Sequence, residues 1–291
     1  MRIANVAGRA TLVSAGSEPA ELIGLDIAKA SDGRFPSDPQ ALFEHWDELR
    51  EWSDGQAGRG DLAIAAADLG APTPQPRQVF AIGLNYDEHI NESKMGRPPA
   101  PTVFTKFPTS ITGPSATVQL PSENVDWEVE LVVAIGRRAY EVPESSAWDH
   151  VAGLMVGQDL SERVVQLAGS VPQFSLGKSY PGFAPLGPLL VTPDEVPDRN
   201  DLELGTRVGD EVLQLGRTRD LIFDVAELVA RLSEVCPLLP GDIVFTGTPS
   251  GVGAAREPKR FLQPGEVLVS HVEGIGELRN EMVAGPRHPK A

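Results

Sequence analysis

Cysteine occurs once in the 291 residues, at Cys236, so the chain can build neither an intramolecular disulfide framework nor a cysteine-only zinc site. A lone thiol of this kind is expected in the core. Positive charge is scarce as well: 25 Lys and Arg stand against 41 Asp and Glu, a net charge of −16. Such a chain repels phosphate backbones and anionic bilayers, which excludes nucleic acid and membranes as expected partners. A small anionic substrate stays open, because a cluster of acids can hold a metal ion whose charge reverses the local field. Long apolar runs are missing too. None reaches membrane-spanning length, and the opening MRIANVAGRATLVSAG lacks the apolar stretch of a secretion signal, so a cytoplasmic address is expected. What is present, 41% hydrophobic and 23% charged residues, is the composition of an ordinary folded protein long enough to bury a full core.

Pro72, Pro74 and Pro76 break both helix and sheet, and place a linker at 71–77 between a small N-terminal domain (1–70) and a larger domain (78–291). In the first part, Leu42, Phe43, Trp46, Leu49 and Trp52 fall at helical spacing over 39–52, with Asp38 as the expected N-cap. The second part reads as many short strands, at 78–82, 102–106, 129–135, 154–158, 188–191, 203–208, 242–246 and 266–272. Few helices interrupt, notably 160–166 and 224–235, the latter with Val225, Leu228, Val229, Leu232 and Val235 as its core stripe. Strands without regular βαβ alternation predict a mixed β-rich, roll- or barrel-like architecture with peripheral helices.

The stretch NVDWEVELVVAIG (124–136) alternates acids with bulky apolar residues before turning wholly apolar. On a strand, Asp126, Glu128 and Glu130 share one face, where the chain runs from solvent into the interior. Carboxylates packed there repel unless a proton or cation compensates them. Another acid in a similar setting is Asp159, which ends the apolar GLMVGQD segment. Three hard oxygen ligands, with water or substrate filling an octahedron, suit Mg2+ or Mn2+ better than zinc. Other motifs fail on inspection. LGKSY (176–180) lacks the glycine a phosphate loop needs at Pro172, GVGAAR (251–256) ends in Arg256 without a βαβ unit, and GTPSG (247–251) displaces the serine of a nucleophile elbow.

Seven segments, GLNYDEHINES (83–93), PTVFTKFPTSITGP (101–114), DWEVELVVAIG (126–136), GQDLSER (157–163), GKSYPGFAPLGP (177–188), PGDIVFTGTPSGVG (240–253) and VEGIGELRN (272–280), occur in an order and spacing that resembles the fumarylacetoacetate hydrolase superfamily. The likeness points to its acylpyruvase and 2-hydroxyhepta-2,4-diene-1,7-dioate isomerase branch. It implies a distorted β-roll catalytic domain over 78–291, a homodimer, and one Mg2+ or Mn2+ per subunit. Carried over residue by residue, it implies Glu128, Glu130 and Asp159 as metal ligands, with Asp126 outside the set. Lys178 matches the lysine beside the substrate, and His89 with Glu92 the acid/base dyad. Arg163, Gln166 and Thr248 match substrate contacts. Many members read KSFD where this chain has Lys178-Ser179-Tyr180-Pro181, a departure that bears on substrate selection.

Residues three apart on a helix share a face, so Glu92 can orient the His89 imidazole as a base. The polar 87–101 segment around the dyad is expected to act as a lid. The implied activity is hydrolysis of a carbon–carbon bond in a 2,4-diketo acid of the acylpyruvate type, a small anionic 2-oxo acid, yielding pyruvate and a carboxylic acid. Decarboxylation of oxaloacetate-like acids and isomerisation of a 2-hydroxydiene dioate are the alternatives that share its enolate chemistry.

Overall fold

Seven consecutive residues, Val129–Ile135, are buried on both faces, which requires a strand at the middle of a sheet with a core on either side. The computed structural model of the chain describes residues 1–15, 22–56, 58–93 and 96–286. Val129–Ile135 pairs antiparallel with Val151–Gln158 on one edge and with Ile243–Phe245 on the other. Its odd residues Val129, Leu131, Val133 and Ile135 enter one core with Leu154, Val156 and the Val225–Val235 helix. Its even residues Val132 and Ala134 enter a second core with Met155, Phe245, Phe43 and Trp46. Glu128 and Glu130 continue the even face, at the end of the strand rather than along its middle.

Among the described residues, twelve strands form one mixed sheet and five form another, and the large sheet stays open instead of closing into a barrel. The β-rich class with peripheral helices is the one the sequence predicts. The N-terminal segment adds its strands Arg2–Val6, Arg9–Ala15 and Leu22–Asp26 to the large sheet, through pairing of Arg2 and Ile3 with Val191 and Leu190. No helix among the described residues is long and apolar enough to cross a membrane.

Several local expectations shift. The 39–52 helix divides into a 3-10 turn, Ala41–His45, and an α-helix, Trp46–Ser53. Asp38 does not cap it: its carboxylate accepts from the Gln40 N–H at 2.9 Å, an Asx turn that precedes the helix. The expected 160–166 helix shrinks to Arg163–Gln166, because Ser161 and Glu162 are taken up in pairing with Val125 and Asp126. Glu162 caps that short helix by accepting the Val165 N–H at 2.6 Å. On the Val225–Val235 helix Asp224 is the N-cap, and the core stripe stops short of Val235, which is exposed. Cys236, expected in the core, is only half-buried. Within the 87–101 segment, Asp87–Ser93 is helical, and Lys94 and Met95 lie outside the described residues, as do 287–291.

Candidate metal centre and active-site cavity

Antiparallel pairing of Val129 with Gln158 sets Glu128 opposite Asp159 one residue further on, and the Asp159 N–H donates to the Glu128 carbonyl at 2.8 Å. Side chains directly opposite across a strand pair stand about 5 Å apart at Cβ. Glu130 joins them from the same face. One carboxylate oxygen from each of Glu128, Glu130 and Asp159 lies within 4.8 Å of the others, and all three side chains are buried. The expected ligand triad is therefore brought together.

Three bases meet these acids. The Lys178 ammonium spends its three donors on Glu128 Oε2 at 2.7 Å, Asp159 Oδ2 at 2.6 Å and Ser161 Oγ at 2.9 Å. Gly177 lets it come so close, since a Cβ there would strike the backbone of Gln166. Lys106 is wholly buried and donates to Asp159 Oδ1 at 2.7 Å and to the Lys178 carbonyl. Arg163 reaches Glu128 Oε1 and Asp126 Oδ2, both at 2.7 Å. Asp126, Glu128, Glu130 and Asp159 thus face Lys106, Lys178 and Arg163, and one carboxylate is left over. Among the described residues that one is Glu130, which accepts the Gly247 N–H at 2.7 Å.

The titration behaviour follows from this arithmetic. Burial, then the neighbouring Asp159 and Glu128 carboxylates, push Glu130 well above the ordinary carboxylate range, against the pull of Lys178 and the Gly247 N–H. Burial also acts to raise Glu128, but Lys178, Arg163 and His89 together outweigh it and hold the group at about 2. Burial takes Lys106 below its usual value despite Asp159, whereas for Lys178 the attraction of Asp159 and Glu128 overcomes burial and raises it. A buried, acidic, all-oxygen set with one uncompensated carboxylate fits a hard divalent cation such as Mg2+ or Mn2+.

A cavity of about 350 Å³ opens onto this cluster, lined by Glu128, Glu130, Lys178, His89, Glu92, Arg163, Gln166 and Thr248 together with the rings of Phe104 and Phe174. Of the nine residues to which the resemblance assigns a role, only Asp159 is absent from its wall. His89 Nδ1 lies 2.8 Å from Glu92 Oε1. Glu92 also accepts the Gly251 N–H on Oε2 at 2.9 Å and the Val252 N–H on Oε1 at 3.5 Å. A carboxylate so surrounded by donors is the acceptor in the His89 contact, so Nδ1–H points to Glu92 and Nε2 is the ring nitrogen left to face another group. Arg163 Nη1 donates to Gln166 Oε1 at 2.8 Å, so the Gln166 amide turns its NH2 side to further acceptors. The Thr248 hydroxyl donates to the Val129 carbonyl at 2.9 Å and accepts from Gln214 Nε2 at 2.8 Å. It braces the 246–249 segment against the strand that carries Glu130.

Two contributors carry no role in the sequence reading. Lys106 lies within a quoted motif, but a single lysine after a short strand has no pattern to mark it. Gln158 fixes Glu128 from behind: its Oε1 accepts the Glu128 N–H at 2.9 Å, and its Nε2 donates to Thr206 and Ser270 at 2.9 and 2.8 Å. Its alternation with Asp159 at the end of a buried strand was the available signal.

Comparison with known proteins adds three kinds of likeness. The fumarylacetoacetate (FAA) hydrolase C-terminal family model matches residues 78–283. The human protein named oxaloacetate tautomerase FAHD2A, mitochondrial, is 41% identical over 215 residues, covering 73% of this chain and 68% of that one. A Mycobacterium smegmatis structure solved under an HpcE designation superposes with a TM-score of 0.89 at 52% identity, over 98% of this chain and all (100%) of the other. Maleylpyruvate hydrolase from a Sphingobium species, in complex with manganese(II) and pyruvate, superposes with a TM-score of 0.79 at 27% identity, over 98% of this chain and 100% of that one.

Proposed function

The chain belongs to the fumarylacetoacetate hydrolase family, and on that premise we propose that it is a divalent-metal enzyme hydrolysing the carbon–carbon bond of a 2,4-diketo acid of the acylpyruvate type. The observation that carries this reading is the His89–Glu92 pair, which lines the same cavity as Glu128, Glu130 and Lys178. Decarboxylation of a chelated 2-oxo acid needs chiefly an electron sink, whereas hydrolysis also needs a base for water. The manganese and pyruvate in the Sphingobium hydrolase support it.

Glu128, Glu130 and Asp159 would hold the cation, which supplies Lewis-acid polarisation of the substrate's 1-carboxylate and 2-oxo group. Arg163 and the Gln166 NH2 offer donors to the anionic end. His89 Nε2 takes a proton from the water whose oxygen bonds to the C4 carbonyl carbon, and Glu92 keeps the ring oriented through Nδ1. The C3–C4 bond then breaks with its electron pair on C3, and the proton held by His89 passes to that carbon. Pyruvate and a carboxylic acid leave, with every atom of the water accounted for. The Lys178 ammonium places positive charge beside the oxyanion that develops.

A second reading is oxaloacetate tautomerisation, favoured by the name of the human relative. The decisive experiment is a turnover screen with acylpyruvates, oxaloacetate and hydroxymuconate-type dienes, with and without chelator. Metal-dependent release of pyruvate from acylpyruvates is expected; turnover of oxaloacetate alone would replace the first reading by the second. The proposal extends to a homodimer in the cytoplasm, and a monomer mass across micromolar concentrations in sedimentation would remove the dimer.

A further inference from the structure

Asp126 ends the short strand Val125–Asp126, which stops two residues before Val129–Ile135 begins, so the single strand face expected for the three acids is interrupted. Asp126 is wholly buried, and yet falls outside the set of converging ligand atoms. Its acceptor capacity is spent. Oδ1 takes the N–H groups of Trp127 at 2.8 Å and Gly253 at 2.7 Å, and Oδ2 takes the Ala254 N–H at 2.9 Å and Arg163 Nε at 2.8 Å. A carboxylate with four donors in place has no free lone pair to offer a cation.

The partners of the 251–254 loop form a pattern. Four consecutive N–H groups are divided between two carboxylates: Gly251 and Val252 donate to Glu92, and Gly253 and Ala254 donate to Asp126. Ser250 adds a bond to Glu88 on the dyad's helix at 3.0 Å, and the Trp127 indole N–H holds the Gly251 carbonyl at 3.1 Å. The loop therefore ties the helix carrying His89 to the residue two positions before the first metal ligand. Arg163 continues the line from Asp126 to Glu128 Oε1. Gly253 is what allows so close an approach, since a Cβ there would meet the Arg260 carbonyl and stand 2.9 Å from Asp126 Oδ1.

We infer that Asp126 is the positioning residue that sets the His89–Glu92 dyad in register with the metal centre, acting through the shared loop and not as a ligand. The inference rests on His89 being the base. It explains why a further buried acid precedes the ligand pair. An Asn at 126 would turn an NH2 toward donors that need an acceptor, and would leave Arg163 with Glu128 as its remaining carboxylate.

Asp126→Asn is the test, with three readouts on the full chain. Manganese titration should give an affinity within about twofold of wild type, whereas loss of a true ligand removes far more. The His89 Nδ1–H proton resonance, assigned by its disappearance in His89→Gln, should shift or broaden, because Glu92 loses its anchor. Turnover of the substrate found in the screen should fall about tenfold to a hundredfold in kcat, with KM moving much less, as for the supporting partners of other catalytic groups. If Asp126→Asn does not fold, Asp126→Glu keeps a carboxylate for Arg163 while displacing the acceptor from the Gly253 and Ala254 N–H groups, and is expected to give the same signature. An unchanged Nδ1–H resonance in a folded variant overturns the inference. So does a manganese affinity that falls as far as in Glu128→Gln, which would make Asp126 a ligand. Absence of any turnover in wild type would count against the proposed function only, since the resonance and the titration still decide the role of Asp126.

Discussion

Two clusters of opposite charge, one at the surface and one in the interior, use the same residue types to different ends. At the surface, Arg217 contacts Asp201 at 2.5 Å and Glu273 at 3.3 Å, and Arg219 reaches Asp201 at 3.1 Å. Water and salt screen these pairs, so each contributes little, and none creates a need. Inside, Lys106, Lys178 and Arg163 face one acid more than they can match, at 0 to 12% side-chain exposure. Buried charge costs desolvation energy that an imperfect match does not return. A fold that keeps such a cluster, and leaves Glu130 without a base, keeps it for what it binds.

Breaking the interior cluster at its unmatched member should have the largest effect. Glu130→Gln is expected to bring metal-dependent turnover down to background while leaving the melting temperature of the metal-free protein unchanged or higher, because a repelled carboxyl has been removed. Scanning calorimetry in chelator beside an activity assay checks both halves. Lys106→Met should act in the opposite sense on stability. Removing one partner of a buried pair costs about 3 kcal/mol or more, measurable as a lower midpoint in denaturant titration.

His89→Ala tests the chemistry rather than the charge balance. Loss of a general base should slow acylpyruvate cleavage by about a hundredfold or more, with manganese affinity retained and any oxaloacetate decarboxylation less affected. Cleavage at the wild-type rate with metal saturating would return His89 to the status of an ordinary helix residue.

Much of the fold and the site was legible because it lies along the chain. The acid alternation before Val132 marked the strand face, the H-x-x-E spacing put His89 and Glu92 on one side of a turn, and Asp159 closed an apolar run. What could not be read was created by tertiary approach. Lys106 meets Asp159 across 53 residues, and Asp126 meets Gly253 across 127, with nothing local to announce either meeting. The divided 41–53 helix was hidden for another reason. Its apolar spacing serves a 3-10 turn followed by an α-turn as well as it serves one continuous helix.

The smallest effect belongs to the surface. The Arg217 hydrogen bond, working against slight desolvation and helped by the charges of Arg217 and Arg219, holds Asp201 below its ordinary value of 3.8. A depressed carboxylate contributes stability above its unfolded value, and that contribution disappears as pH falls through the folded one. Arg217→Gln should therefore shift the melting temperature only slightly at neutral pH, and the difference should shrink in 1 M salt, where the screening length is about 3 Å, and again below pH 3.8. A large, salt-independent loss would erase the contrast between the two clusters.

The most direct measurement is calorimetric titration of Mn2+ and Mg2+ into the wild-type chain and into Glu128→Gln, Glu130→Gln and Asp159→Asn. The account predicts one ion per chain in the wild type, with affinity that weakens as pH falls because Glu130 must give up its proton to bind. It also predicts strongly weakened binding in all three variants. Wild-type affinity retained in all three would mean that the buried acids do not hold the metal.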